Sequence, residues 1–420
     1  MSKIDKETQK KLRIEKRNHF FSKIKQLIFL EEGKDTQIQM AVIALVCFGT
    51  FMIVSTNVGR TSLDNSMVVL KTLFKQCVVL IISYGLMKLA NTIFNLRRFS
   101  SGLLLMSLAI LFCGSMILPF FFSSAGGSHA WIRLPGGMTI QPSEFGKPLM
   151  ILLVAVSVYR AKKIKTMQES GMAMFRLPLI VYGCLTILLL LQKDLGTLAI
   201  ISVTFYSCLI IPKYPGIRRF QTYLKRLVFV GVCFVAFLGL TKPGIELIKA
   251  TPFYHLATRI ENAKDPYNDI YGEGYQPANA LYGIANSNIK GRGIGQSNRK
   301  YGYLTQADND YILAVTMEET GIFGLAFIVF FYGVIWFKLF QYGYKTKKMP
   351  YKIILTGTAV YMFMHFFLNV GGVTAMIPFT GVPLLFISSG GSSLMAIAIT
   401  IGICQRCIAD IRKTEMGEDI

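Results

Sequence analysis

The chain has 420 residues, of which 52% are hydrophobic and only 16% are charged, and its mean hydropathy is +0.47. This composition excludes intrinsic disorder, which requires low hydrophobicity and high charge, and argues against an ordinary soluble protein, in which about 25% of residues are charged. In a soluble protein, the net charge of +22 would indicate nucleic-acid binding. In a membrane protein, it indicates instead that Lys and Arg are concentrated in the cytoplasmic loops.

Residues 1–37 are polar and contain no apolar region followed by a small-residue cleavage site, which predicts a cytoplasmic tail and not a cleavable signal peptide. Ten apolar segments of transmembrane length follow. They span residues 38–56, 74–94, 101–123, 143–160, 177–192, 195–212, 225–241, 311–341, 352–373 and 384–406. The sequence therefore predicts an all-α polytopic membrane protein with a ten-helix domain over 38–406 and a C-terminal tail over 407–420.

The distribution of basic residues predicts the orientation. Lys and Arg collect in the N-terminal tail and around residues 97–98, 160–176, 213–226 and 338–352, whereas the opposite loops carry few. Cytoplasmic loops of membrane proteins are enriched in Lys and Arg. We therefore expect both termini in the cytoplasm and no nucleic-acid partner. The eight cysteines fall in or beside apolar segments and are expected to be small buried hydrophobic side chains.

One polar connection, residues 242–310, is predicted on the extracytoplasmic side. Connections of this length are uncommon and usually functional. Its turn signals are dense, and between them residues 275–286 have the pattern of a short amphipathic helix. The fifth and sixth segments are separated only by Lys193 and Asp194, which predicts a tight hairpin.

Ionisable groups at membrane depth are costly and are candidates for function. In Gln141-Pro-Ser-Glu-Phe-Gly-Lys147, Pro142 suits a helix start that Gln141 or Ser143 helps to cap. Glu144 and Lys147 share one helix face. The pair either serves a site, where Lys147 suits a phosphate, or only holds the fold. The Lys193–Asp194 hairpin likewise either faces a polar head group or is simple turn chemistry.

Two further features lie in the long connection. The run Gly291-Arg-Gly-Ile-Gly resembles a phosphate cradle, but no strand precedes it, so it lacks the context of a nucleotide-binding loop. Its cations either approach a lipid-linked phosphate or form a solvated basic face. Asp310 stands where the polar connection becomes an apolar helix, and apolar surroundings raise the pKa of a carboxyl toward that of a general base. The alternative is helix capping by Asp308, Asn309 or Asp310.

Residues 369–393 contain Pro and Gly within an apolar region. Backbone groups freed at membrane depth are tolerated only where protein buries them or where they line a polar cavity. The Gly-Gly-Ser-Ser at 390–393 also offers helix N-terminal N–H groups to an anion.

Together these segments resemble the SEDS family (FtsW, RodA and SpoVE), the peptidoglycan polymerases of bacterial division, elongation and sporulation. The similarity covers about residues 38–406 and keeps the order of the motifs. The matching motifs are Trp131-Ile, Gln141-Pro-Ser-Glu-x-x-Lys147, Asp194-Leu-Gly-Thr197, Gly291-x-Gly-x-x-x-Ser-x-x-Lys300, Asn369-x-Gly, Pro378-x-Thr-Gly-x-Pro-Leu384 and Ser388-x-Gly-Gly-Ser-Ser393.

The resemblance implies a reaction in which lipid II units are joined into β-1,4 glycan strands at the outer face of the plasma membrane, with undecaprenyl pyrophosphate leaving. It implies Asp310 as the catalytic base. It implies a class B penicillin-binding protein and other divisome or elongasome proteins as partners. The implied substrate-binding residues are Trp131, Glu144, Lys147, Asp194, Arg259, Asp269, Lys300 and Ser392; of these, Lys147, Arg259 and Lys300 are the pyrophosphate candidates.

The chain departs from the family pattern at a few positions. The motif before Asp310 has Thr305, Gln306 and Asp308 in place of Pro, Glu and His, while Lys193 replaces a proline and Ser389 a tyrosine. Two other functions stay open, a lipid II flippase and a scaffold that activates a penicillin-binding protein. The motifs favour FtsW or SpoVE over RodA. A Mg²⁺ or Mn²⁺ ion on the pyrophosphate is compatible with the sequence, although no ligand cluster requires one.

Overall fold

The computed structural model describes residues 33–58, 65–122, 129–133, 139–252 and 254–416, and the predicted tail segments before residue 33 and after 416 lie outside these. The described residues are mostly helical. The helices are α1 (Thr36–Val58), α2 (Asn65–Ile93), α3 (Leu96–Phe99), α4 (Gly102–Ser115), α5 (Ser143–Ala161), α6 (Lys165–Glu169), α7 (Gly171–Leu191), α8 (Leu195–Ile210), α9 (Arg218–Leu240), α10 (Lys242–Lys249), α11 (Tyr254–Lys264), α12 (Tyr275–Ala285), α13 (Ile312–Lys345), α14 (Met349–Val373) and α15 (Gly391–Glu415).

Eight helices of the described chain are long and apolar enough to cross a membrane: α1, α2, α4 with the 3-10 turn Leu118–Phe121 after it, α7, α9 with the turn before it, α13, α14 and α15. The other two predicted segments coincide with α5, whose 19 residues include Glu144, Lys147 and Arg160, and with α8, which has 16 residues. The predicted all-α polytopic fold is confirmed.

Helices α14 and α15 occupy the centre of the bundle. Helix α14 packs against α5, α8 and α13, and α15 packs against α2 and α5. The most apolar stretch of α15 is 83% buried within the protein, whereas that of α9 buries none of its residues. On α5 and α14 the polar side chains of Glu144, Lys147, His365 and Asn369 are buried within the protein.

The connection between α9 and α13 is more ordered than the sequence indicates. The predicted helix at 275–286 is confirmed as α12, but α10 and α11 were not predicted. Helix α10 is capped at its start, where the Thr241 hydroxyl accepts from the Gly244 N–H at 3.1 Å. A small apolar cluster joins α10 to α11 through Ile245, Ile248 and Ala257.

The last predicted membrane span, residues 384–406, differs at both ends from the helix that the structure shows there. Residues 374–390 are irregular and α15 begins only at Gly391. The Ser388 hydroxyl donates to the Asn309 carbonyl, and Phe386 has a φ of +66°, which is not helical. The helix then continues to Glu415, beyond the end of the predicted span at residue 406. The boundary of the cytoplasmic tail at residue 407 stays a prediction.

Helix α13 is broken at Gly321, which has φ +65° and ψ −152°. The break frees the carbonyls of Glu318 and Glu319, which accept from the N–H groups of Arg292 at 2.8 Å and Gly293 at 3.0 Å. The Ile322 N–H donates to the Ile289 carbonyl at 3.1 Å. The glycine-rich run of the long connection is thus fastened to the broken helix by backbone bonds.

The substitution Gly321→Ala is expected to destabilise the protein by roughly 1–3 kcal/mol, because this backbone conformation is nearly restricted to glycine. An added Cβ would also overlap the Ile289 carbonyl. Gly333→Ala is the matched control, since this α13 glycine has helical geometry and open space around its Cβ position. Thermal unfolding in detergent measures both, and equal midpoints for the two variants would contradict the requirement for glycine at the break.

Candidate active site

Asp310 lies at the end of the long connection, two residues before α13 begins. The helix starts without a side-chain cap, so capping, the alternative left open by the sequence, does not explain this carboxylate. Its backbone carbonyl accepts from Asn369 Nδ2 at 2.9 Å. The side chain is partly buried, and its Oδ1 is enclosed with no hydrogen-bond partner among the described residues. Buried polar atoms without a partner are uncommon in proteins, and a catalytic role is one explanation for them.

The irregular segment 374–390 forms the wall against which Asp310 lies. Gly381 has φ +67°, and a Cβ added there would be 3.6 Å from Asp310 Oδ2. The Ser388 hydroxyl donates to the Asn309 carbonyl at 2.7 Å, and the Ser389 N–H donates to the Asp308 carbonyl at 3.0 Å. The Tyr311 ring stacks on Phe379, with centroids 4.5 Å apart. Two motifs that are distant in the sequence thus form one site.

The pKa of Asp310 is raised to about 7, chiefly by burial and to a smaller extent by the charge of Asp308. The charge of Arg259 opposes this rise. Arg259, on α11, donates from Nη1 to the Phe379 carbonyl at 3.2 Å and is otherwise exposed. A general base works best when its pKa lies near the operating pH. The surroundings of Asp310 therefore give it the proton affinity that such a base requires.

A buried ion pair lies on α5. Lys147 Nζ is 2.6 Å from Glu144 Oε1, and the two side chains are 0% and 2% exposed. The ammonium also lies 2.8 Å from His365 Nε2 on α14. His365 was not predicted from the sequence. The one feature of the sequence that could have indicated it is its position one turn before Asn369, on the same helix face.

The expected caps of α5 are wrong, because the helix begins after Pro142 with no side-chain cap. Gln141 Nε2 instead donates to Asp194 Oδ2 at 2.6 Å. Asp194 Oδ1 caps α8 by accepting from the Thr197 N–H at 3.1 Å. Asp194 therefore joins the start of α5 to the start of α8. The predicted hairpin is confirmed, because α7 ends at Leu191, α8 begins at Leu195, and Lys193 between them has φ +58°.

Lys300 faces the protein interior. Its ammonium is 2.9 Å from Glu319 Oε1 and donates to the Ser55 carbonyl at 3.2 Å, and its side chain is 1% exposed. The neighbouring Glu318 accepts from the Ser297 hydroxyl at 2.5 Å. Lys300 therefore anchors the long connection to α13, and its role in binding the pyrophosphate stays a prediction.

The remaining candidates are Trp131, Asp269 and Ser392. Trp131 is half-buried just before strand β1 (Ile132–Arg133), which pairs antiparallel with β2 (Thr139–Ile140). Asp269 is exposed, and its Oδ2 accepts from the Glu273 N–H at 3.0 Å in the turn before α12. Ser392 is buried in the first turn of α15. In the described chain, no group of three or more His, Cys, Asp or Glu side chains is arranged to hold a metal ion.

The sequence of this chain matches a known protein family. Residues 36–413 match the sequence model of the FtsW, RodA and SpoVE family, described as "Cell cycle protein". The chain is 31% identical over 382 residues to the protein named "Probable peptidoglycan glycosyltransferase FtsW" of Bacillus subtilis (strain 168), covering 88% of this chain and 89% of that protein.

Two solved structures share the fold. One is a chain of a peptidoglycan synthase complex that coordinates polymerization and crosslinking, with a TM-score of 0.65, 22% identity, and coverage of 91% of this chain and 99% of that one. The other is the rod shape determining protein RodA of Thermus thermophilus, with a TM-score of 0.56, 19% identity, and coverage of 90% and 97%. The chain therefore belongs to the FtsW, RodA and SpoVE family of bacterial membrane proteins.

Proposed function

We propose that this protein is a peptidoglycan glycosyltransferase that joins lipid II units into β-1,4 glycan strands at the outer face of the plasma membrane, for septal wall synthesis in division. The observation that carries the proposal is Asp310, whose enclosed and unpartnered oxygen lies at the junction of the long connection and a membrane helix. Membership of the family and the relative named FtsW support the same reaction.

In the proposed reaction Asp310 accepts the proton of the acceptor's sugar 4-hydroxyl as its oxygen attacks the anomeric carbon of the donor. The bond from that carbon to the pyrophosphate breaks, undecaprenyl pyrophosphate leaves, and the configuration inverts. Arg259 presents an exposed guanidinium beside Asp310 and suits the leaving pyrophosphate. Trp131, Asp269 and Ser392 are proposed to bind the sugar or lipid portions.

A flippase for lipid II is the second candidate, because buried charges on α5 and the irregular segment 374–390 also suit a transport path. A flippase needs no general base at the membrane surface, so Asp310 favours the polymerase. The deciding experiment incubates the purified protein, its cognate class B penicillin-binding protein and labelled lipid II, and resolves the glycan chains on a gel. Transport of lipid II in proteoliposomes without any glycan product would establish the flippase.

The class B penicillin-binding protein is the proposed partner, since the similar chain in the synthase complex belongs to an assembly that couples polymerization to crosslinking. The orientation is proposed from the Lys and Arg of the loops. A fluorescent protein fused to the C terminus should fluoresce, and alkaline phosphatase at the same place should be inactive. Active phosphatase would place the C terminus outside and reverse the proposed orientation.

The rate of polymerisation is expected to rise with pH through about 7, because Asp310 acts as a base only when deprotonated and its pKa is raised to about 7. Arg259→Gln removes the charge that lowers this pKa and should move the rise to higher pH, by roughly half a pH unit or more. Asp308→Asn should move it to lower pH. Rate profiles of the three proteins test this, and shifts in the same direction would contradict the assignment of the base.

A further inference from the structure

His365 lies in the middle of α14, and its two ring nitrogens join two parts of the candidate site. Nε2 is 2.8 Å from Lys147 Nζ, and Nδ1 is 3.1 Å from the Pro383 carbonyl oxygen. The side chain is 0% exposed, and Tyr361, one turn earlier, packs edge-on against its ring with centroids 5.1 Å apart. The imidazole is therefore held between the ion pair of α5 and the backbone of the irregular segment.

The partners of His365 determine where its proton lies. An ammonium group only donates hydrogen bonds, and a carbonyl oxygen only accepts them. Lys147 is paired with the Glu144 carboxylate, so its ammonium donates to Nε2. The ring must then carry its proton on Nδ1, from which it donates to the Pro383 carbonyl. A neutral imidazole with this single tautomer satisfies both bonds.

The next turn of α14 continues the connection to Asp310. Asn369 donates from Nδ2 to the Val382 carbonyl at 2.8 Å and to the Asp310 carbonyl at 2.9 Å. Adjacent turns of α14 thus bind the consecutive carbonyls of Val382 and Pro383. The residue before them is Gly381, which lies against Asp310 Oδ2. The position of residues 381–383 therefore sets one wall around the carboxylate.

We propose that His365 is a positioning residue that fastens residues 381–383 to the buried Glu144–Lys147 pair and thereby places the Asp310 carboxylate. His365 does not touch the reacting atoms. The expected effect of His365 on the rate of polymerisation rests on the proposed function. Its expected effect on the surroundings of Asp310 does not depend on that function. The ion pair of α5, which is remote from Asp310 in the sequence, then acts on the site through one imidazole and one backbone carbonyl.

The experiment compares His365→Phe with His365→Gln. Phe keeps the ring but removes both hydrogen bonds, whereas the Gln amide accepts from Lys147 and donates to Pro383. We expect Phe to lower kcat for lipid II polymerisation roughly tenfold to a hundredfold with little change in KM, the cost of a misplaced catalytic group. Gln should keep most of the activity. Equal losses in both variants, or a raised KM with unchanged kcat, would overturn the proposal.

Thr358→Val is the matched control. Thr358 is a buried polar side chain on the same helix, and its hydroxyl donates to the Ile354 carbonyl at 2.7 Å, away from the site. Its replacement should leave kcat unchanged. If His365→Phe does not accumulate in membranes, His365→Met serves instead, since Met is an unbranched and adaptable side chain that fills the space without a nitrogen.

A second measurement is independent of activity. A water-soluble carbodiimide labels carboxyl groups, and peptide mass spectrometry locates and quantifies the label on Asp310. The labelling rate should change severalfold in His365→Phe or His365→Met and match the wild type in His365→Gln and Thr358→Val. Unchanged labelling in a folded His365→Phe protein would overturn the positioning role. If the wild type makes no glycan and the variants still show these labelling differences, the proposed function is overturned and the positioning role of His365 stands.

Discussion

Asp310→Asn is expected to abolish glycan polymerisation while the protein still folds and inserts into the membrane. The amide has nearly the size of the carboxyl but cannot accept the proton of the attacking hydroxyl. General-base catalysis contributes typically 10²–10⁴-fold to a rate, so the loss should reach at least this range. Because Oδ1 of Asp310 has no hydrogen-bond partner in the described chain, the substitution removes no bond from that atom. Labelled lipid II and gel resolution of the products measure the loss.

Asp265→Asn is the matched control for this prediction. Asp265 is an exposed carboxylate of the same connection, and its Oδ1 accepts from the Tyr267 N–H at 3.1 Å. Its replacement should leave the chain-length distribution and the rate unchanged. Full-length glycan from Asp310→Asn at the wild-type rate would remove Asp310 from catalysis, whatever the control shows.

Hydropathy predicted the membrane helices because apolar runs are a local property of the sequence. It failed at residues 384–390, where Leu384-Leu-Phe-Ile387 is as apolar as any membrane helix. Their conformation depends on distant partners, since the Ser388 hydroxyl bonds to the Asn309 carbonyl. Helices α10 and α11 were missed because helices this short are marginal on their own, and here they are stabilised by their contact with each other.

The candidate site was predicted only in part, because the sequence shows residue types and spacings but not the partners that a side chain meets in the fold. The position of Asp310 between a polar connection and an apolar helix is visible in the sequence, and so is the spacing of Glu144 and Lys147. The inward orientation of Lys300 is not, because a cation in a sequence does not show its partner, here Glu319 on the broken helix. His365 likewise could not be predicted, because its partners lie on α5 and in the irregular segment, which are distant from it in the sequence.

Lys147→Met is expected to cost roughly 3–5 kcal/mol of stability, because it leaves the Glu144 carboxylate buried without its partner. Glu144 is 2% exposed and its Oε2 already has no hydrogen bond within the described chain, so few groups remain to compensate the charge. The thermal midpoint in detergent and the rate of lipid II polymerisation should therefore both fall. This single variant does not separate a role in holding the fold from a role in the reaction.

The double variant Glu144→Gln with Lys147→Met separates these two roles. Removing both members of a buried ion pair is often neutral or stabilising, so most of the lost stability should return. Activity should stay low, because Lys147 no longer donates to His365 Nε2 and residues 381–383 lose their connection to α5. Recovery of both stability and polymerisation would show that the pair only holds the fold. Recovery of stability alone assigns the pair a part in placing Asp310, because the folded protein then differs from the wild type only where α5 meets α14.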